Sequence, residues 1–168
     1  MKAGDFEREV EARLKGSKQI VVMAVGDELN PRDCVGILAG RRISAARLRK
    51  TKVLQTSQMP ENYTSVIRRL EPSHVVIIDS AEMGGKPGDV AFINPDRVAA
   101  TRVSTHAMPL SVVMTYIEKE LNAKVSLIGI QPARQESSAS GFQPVEVMRG
   151  VERVVNGFSY ALDEKQTR

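Results

Sequence analysis

Short apolar runs along the chain alternate with stretches in which apolar residues return every three or four positions, and this pattern predicts strands separated by helices. Strands are expected at Gln19 to Val25, Lys52 to Gln55, His74 to Asp79, Asp89 to Ile93 and Val125 to Ile130, each rich in the Val and Ile of fully buried strands. Helices are expected at roughly Asp5 to Lys15, Cys34 to Arg49, Glu61 to Leu70, Leu110 to Leu121 and Pro144 to Leu162. Pro60 and Pro109 stand where a first-turn proline costs nothing, because its missing N–H would have no intrahelical partner. In the last helix Val145, Met148, Val151, Val155 and Phe158 recur at helical spacing, an apolar stripe expected to cover one face of the sheet.

The stretch "SAEMGGKPGD" turns between strands that lie close in sequence, which predicts that Asp89 to Ile93 runs antiparallel to its neighbour. The fold expected is α/β: three layers, α/β/α, around a twisted, mixed, mostly parallel five-stranded sheet. No repeat or linker interrupts residues 1–168, so one domain is expected. A chain of this length buries roughly 70% of its unfolded surface, enough for a core without covalent staples. "ARQESSASGFQ", Ala133 to Gln143, is polar and rich in small residues, as a mobile surface loop would be.

Composition narrows the function. The single cysteine, Cys34, excludes an internal disulfide and a multi-cysteine zinc site. The charged segment "MKAGDFEREVEARLKGSKQ" lacks the apolar core of a signal peptide, and no apolar run approaches the roughly 20 residues of a membrane span. A soluble, cytoplasmic monomer without membrane insertion is the expectation. The formal charge of +4 comes from 24 basic against 20 acidic residues, with concentrations in "GRRISAARLRKTK" and "VIRRL" that fit solvated helix faces. With no tryptophan and few aromatics to interleave, a stacking platform for nucleic acid is not expected.

In open α/β sheets ligands bind at the carboxyl ends of the strands, and three ionisable residues fall there. Asp33 lies in the loop after the first strand, Asp79 at the end of the third, and His106 in "STHAMPL" before a helix. Two carboxylates and an imidazole suit a borderline divalent ion and leave coordination positions open. Each also has a plainer reading: Asp33 as the N-cap of the following helix, Asp79 as a turn former, His106 as a packed histidine. Cys34 with His106 could form a nucleophile–base pair, against which stands a small residue packed in a tight turn. The loop "VGDELNPRDCVG" lacks the closely spaced glycines of a phosphate cradle, and its acidic residues would repel pyrophosphate.

Three segments in order carry a resemblance: "VGDELNPRDCVG", "VVIIDSAEMGGKPGDVAFINPDRV" and "STHAMPLSVVMTYIEKELNAKVSLIGIQP". Together they resemble the nickel–iron hydrogenase maturation endopeptidases, particularly those serving formate-hydrogenlyase-type and related membrane-bound hydrogenases. The resemblance spans roughly Ile20 to Pro132. It implies an endopeptidase of aspartic or metal-dependent type that removes the C-terminal extension of a hydrogenase large-subunit precursor after nickel insertion. Carried over by motif, Asp33, Asp79 and His106 are the implied catalytic and nickel-binding residues, the nickel being the substrate's own. Two alternatives remain at this level: a non-cleaving, nickel-sensing assembly factor for the same precursor, and a hydrolase built on Cys34 and His106. Asp27, Arg32, Cys34 and the run Gln55, Thr56, Ser57 depart from the family pattern, and side chains at Thr56 and Ser57 are expected to narrow the groove for the extension.

Overall fold

The computed structural model describes residues 4–94, 102–103, 109–134 and 143–162. Strands β1 (Ile20–Val25), β2 (Thr51–Ser57), β3 (His74–Glu82), β4 (Val90–Ile93), β5 (Arg102–Val103) and β6 (Lys124–Ile130) are joined to helices α1 (Asp5–Leu14), α2 (Val35–Ala45), α3 (Thr64–Leu70), α4 (Leu110–Leu121) and α5 (Val145–Leu162). A five-strand path runs β2-β1-β3-β6-β4, and the two-residue β5 pairs off it with the end of β3. The pairs along β2, β1, β3 and β6 are parallel, and only β4 runs antiparallel, against β6. The expected mixed, mostly parallel sheet is therefore present. The neighbour of β4 differs from what its closeness in sequence to β3 suggested: β6 takes the place beside β3, and β4 closes the outer edge.

Alternation along the central strands divides the core into two layers. Ile20 and Val22 of β1, with Val76 and Ile78 of β3, pack against α1, α2 and α5. Val21, Met23 and Val25, with Val75 and Ile77, face α3 and α4. Both faces of β1 are thus covered, which is why its six residues are apolar and fully buried. No described helix is long and apolar enough to cross a membrane.

Several boundaries move for identifiable reasons. The strand predicted to stop at Asp79 continues to Glu82, because β6 pairs it through Ser80 and β5 pairs Ala81 and Glu82. Helix α2 ends at Ala45, where Arg47 turns left-handed at φ 50°. Pro60–Tyr63 forms a 3-10 turn ahead of α3 rather than its first α-helical turn. The buried stripe of α5 is Val147, Val151, Val154 and Phe158, with Gly150 and Gly157 among them, while Val145 is exposed. Small residues decide that rotation: the backbone of Gly88 lies against Gly150, and Phe6 and Val10 of α1 lie against Gly157, so these positions turn inward.

Candidate active site

Chain order 2-1-3 places a topological switch point between the carboxyl ends of β1 and β3, since the chain leaves β1 toward β2 and leaves β3 toward the opposite edge. The loop after β1 is seated in this crevice by two glycines. Gly26 has φ 142°, and a Cβ there would overlap the carbonyl of Asp33. At Gly36, in the first turn of α2, a Cβ would overlap the carbonyl oxygens of Val25 and Ile78, so the helix start rests directly on both strand ends.

Most of the loop's polar groups hold the loop itself. Asp27 Oδ1 accepts from the N–H of Leu29 at 2.9 Å, and Asn30 Oδ1 accepts from that of Arg32 at 3.0 Å, two side-chain turns in succession. Glu28 forms an ion pair with Arg41 of α2. Asp33 is not the N-cap of α2: Cys34 takes that position, with no side-chain capping bond. Its carboxylate instead accepts from the Asp27 N–H at 3.1 Å through Oδ2 and from the Ser80 hydroxyl at 2.8 Å through Oδ1.

Asp79 is fully buried within β3, opposite Gly129 of β6. It is a strand residue and not a turn former. By strand alternation it shares the α3/α4 face with Val75, Ile77 and Ala81, whereas Ser80 belongs to the α2 face. The backbone N–H of Ser80 donates to Asp79 Oδ1 at 2.8 Å. One residue at the switch point therefore touches both carboxylates.

Two positions further, Glu82 forms an ion pair with Arg32 of the site loop. Its other oxygen accepts from Gln131 Nε2 at 2.8 Å, and Gln131 Oε1 in turn accepts from the N–H groups of Met83 at 2.7 Å and Gly85 at 3.3 Å. Gln131 is buried just beyond β6, so the glutamine of "LIGIQP" ties the end of β6 to the end of β3 and the turn that follows it. Sequence reasoning missed Ser80, Glu82 and Gln131 as parts of the site. The only signal was their polarity at the ends of otherwise apolar runs.

Of the remaining expectations, His106 lies outside the described residues. Cys34 is buried, its Sγ lying 3.7 Å from the Pro31 carbonyl and accepting from Gln143 Nε2 at 3.2 Å. Burial, ahead of smaller opposing and assisting effects, raises its thiol pKa above the ordinary 9.0, the opposite of what a cysteine nucleophile needs. Of the polar segment after β6, positions 135–142 lie outside the described residues, but its ends are anchored: Ala133 is in the core and Gln143 also bonds the Pro31 carbonyl. Thr56 does not narrow a groove, since it is buried with its hydroxyl on the Ala24 carbonyl at 3.1 Å. Ser57 is exposed, with a left-handed φ of 52°.

Fold and site together define a three-layer α/β/α protein with an acidic centre at the carboxyl edge of its parallel strands. A sequence model described as hydrogenase maturation protease (HycI) matches residues 39–158, and the chain belongs to that family. It is similar to a Methanocaldococcus jannaschii chain assigned as a hydrogenase maturation protease, with 30% identity over 128 residues covering 71% of this chain and 76% of the relative. The hydrogenase 3 maturation protease of Escherichia coli K12 is 32% identical over 113 residues, 67% of this chain and 72% of the relative. Among solved structures, the [NiFe] hydrogenase maturation protease HycI from Thermococcus kodakarensis superposes with a TM-score of 0.77 at 25% identity, covering 92% of this chain and 98% of that one.

Proposed function

We propose that the protein is an endopeptidase that removes the C-terminal extension of a nickel–iron hydrogenase large-subunit precursor, and that Asp33, Asp79 and His106 act on it. Family membership supports the reaction class. The observation that carries the residue assignment is the meeting of Asp33 and Asp79 on Ser80 at the switch point, where α/β sheets bind their ligands.

The donor set fits a nickel ion that arrives in the precursor. Asp33 and Asp79 offer carboxylate oxygens and His106 an imidazole nitrogen, the donor types that suit a borderline divalent ion. An acidic centre at the carboxyl ends of β1 and β3 suits recognition of an ion already partly coordinated by the substrate. Asp33 and Asp79 then orient the precursor so that the scissile bond lies beside them, and a carboxylate takes the proton of the attacking water. Cleavage of the peptide bond consumes that water and releases the extension.

A polypeptide substrate is also supported by the surface. Among the described residues the large exposed apolar side chains are Leu29, Met59, Val112 and Val145. Leu29 follows β1, Met59 follows β2, and Val112 and Val145 lie in the first turns of α4 and α5, which both begin at the carboxyl edge of the sheet. All four therefore lie toward the carboxyl edge of the sheet, the edge that also carries the candidate site. Leu29, 91% exposed at the tip of the site loop, is the most accessible of them.

The test is incubation with large-subunit precursors of the same organism, nickel-loaded and nickel-free, followed by intact mass measurement. Loss of the extension from the nickel-loaded form alone is expected. Tight binding of that form with no mass change identifies a non-cleaving assembly factor instead.

A further inference from the structure

Ser80 makes two bonds that differ in kind. Its N–H reaches Asp79 through backbone geometry that any residue there could supply, whereas its hydroxyl reaches Asp33 across from the site loop. The residue is 5% exposed, and its neighbours of the same parity, Val76 and Ile78, are apolar core residues. An apolar side chain would satisfy the packing pattern of this strand face, so the hydroxyl needs a separate reason. Asp33 supplies it: with Asp27 N–H on Oδ2 and Ser80 on Oδ1, both oxygens are aimed by the protein.

We infer that Ser80 is a positioning residue for the reaction: its hydroxyl fixes the rotation of the Asp33 carboxylate relative to Asp79. This inference rests on the reading that Asp33 acts on the precursor. The loop backbone is seated by Gly26 and Gly36 and the Asp27 N–H holds Oδ2, so the Ser80 donor, 2.8 Å from Oδ1, is the second point that fixes the rotation of the carboxylate. Removing the donor leaves the fold and the exposed apolar residues of the carboxyl edge in place while loosening the carboxylate. The loss then falls on turnover and not on binding.

The experiment compares Ser80→Ala, Ser80→Thr and Asp33→Asn in the full chain against nickel-loaded precursor, with unfolding midpoints measured alongside. For Ser80→Ala, kcat is expected to fall about tenfold, the size of one hydrogen bond to a charged group, with KM within about twofold of the parent. Ser80→Thr, which keeps the hydroxyl, restores most of kcat. Unchanged kcat in Ser80→Ala, a loss confined to KM, or no recovery in a folded Ser80→Thr overturns the positioning role. Should Ser80→Thr fail to fold, Ser80→Cys decides: a weak donor of similar size must turn over faster than Ala. Full processing by Asp33→Asn overturns the underlying reading instead, so the two failures are distinct.

Discussion

Arg32 of the loop after β1 is ion-paired with Glu82 at the end of β3, and Gln131 holds the other oxygen of that glutamate. The pair joins the two strands whose carboxyl ends frame the switch point. Both side chains are about a third exposed, at 32% and 38%, so solvent and salt screen the attraction. Arg32→Gln is expected to cost less than about 1 kcal/mol in denaturant unfolding, and the difference from the parent should shrink in high salt. A larger, salt-independent loss would mean that the arginine stem, not its charge, holds the loop.

Asp33→Asn and Asp79→Asn each keep the size of the side chain and remove its charge. Each is expected to lower processing of nickel-loaded precursor by about 100-fold or more, the range of a lost general base, while the unfolded fraction stays small. His106→Ala is expected to do the same. Near-parental cleavage by all three, followed as the mass of the large subunit, would refute the site.

Cys34 should be chemically quiet. The residue is 8% exposed and its thiol pKa is pushed up by burial, so a thiol reagent at neutral pH is expected to modify it only after unfolding. Cys34→Ala should retain most of its activity and lose about 1 kcal/mol of stability. Rapid labelling of the native protein together with loss of activity would revive the cysteine-hydrolase reading.

His74 opens β3 and is buried, with Nδ1 2.9 Å from the Ser73 hydroxyl and Nε2 unpartnered. Burial first, and Lys124 second, lower its pKa from the ordinary 6.5. Below about that pH the unfolded chain takes up a proton that the folded chain resists, so this contribution is complete above it and is lost as the pH falls toward the folded value. The denaturation midpoint is therefore expected to drop between neutral and mildly acidic pH, with a shallower drop in His74→Gln.

Ser57 ends β2 in the left-handed region, at φ 52°, where a Cβ is strained. Glycine there removes the strain but adds unfolded-state entropy, so Ser57→Gly is expected to gain only about 0.5 kcal/mol, visible as a raised melting temperature. A loss instead would show that the exposed hydroxyl makes a contact worth more than the strain.

The apolar pattern by itself determined the type of the main elements, though not the two-residue β5 or the 3-10 turn at Pro60–Tyr63. The run Ile20–Val25, too short for a helix and rich in β-branched residues, fits an inner strand buried on both faces, and the spacing of apolar residues in Leu110–Leu121 fits a helix. It also brought Asp33 and Asp79 to notice as acidic residues near strand ends. Three things belonged to the tertiary structure. The partner of β4 is β6, because pairing is chosen by the whole sheet and not by closeness along the chain. The buried stripe of α5 is set by where Gly88 and α1 press on it, which helical periodicity cannot register. And the site's support depends on residues far apart in sequence, Asp33 on Ser80 and Arg32 on Glu82, whose polarity becomes meaningful only when the parallel crossover lays the β1 loop against the end of β3.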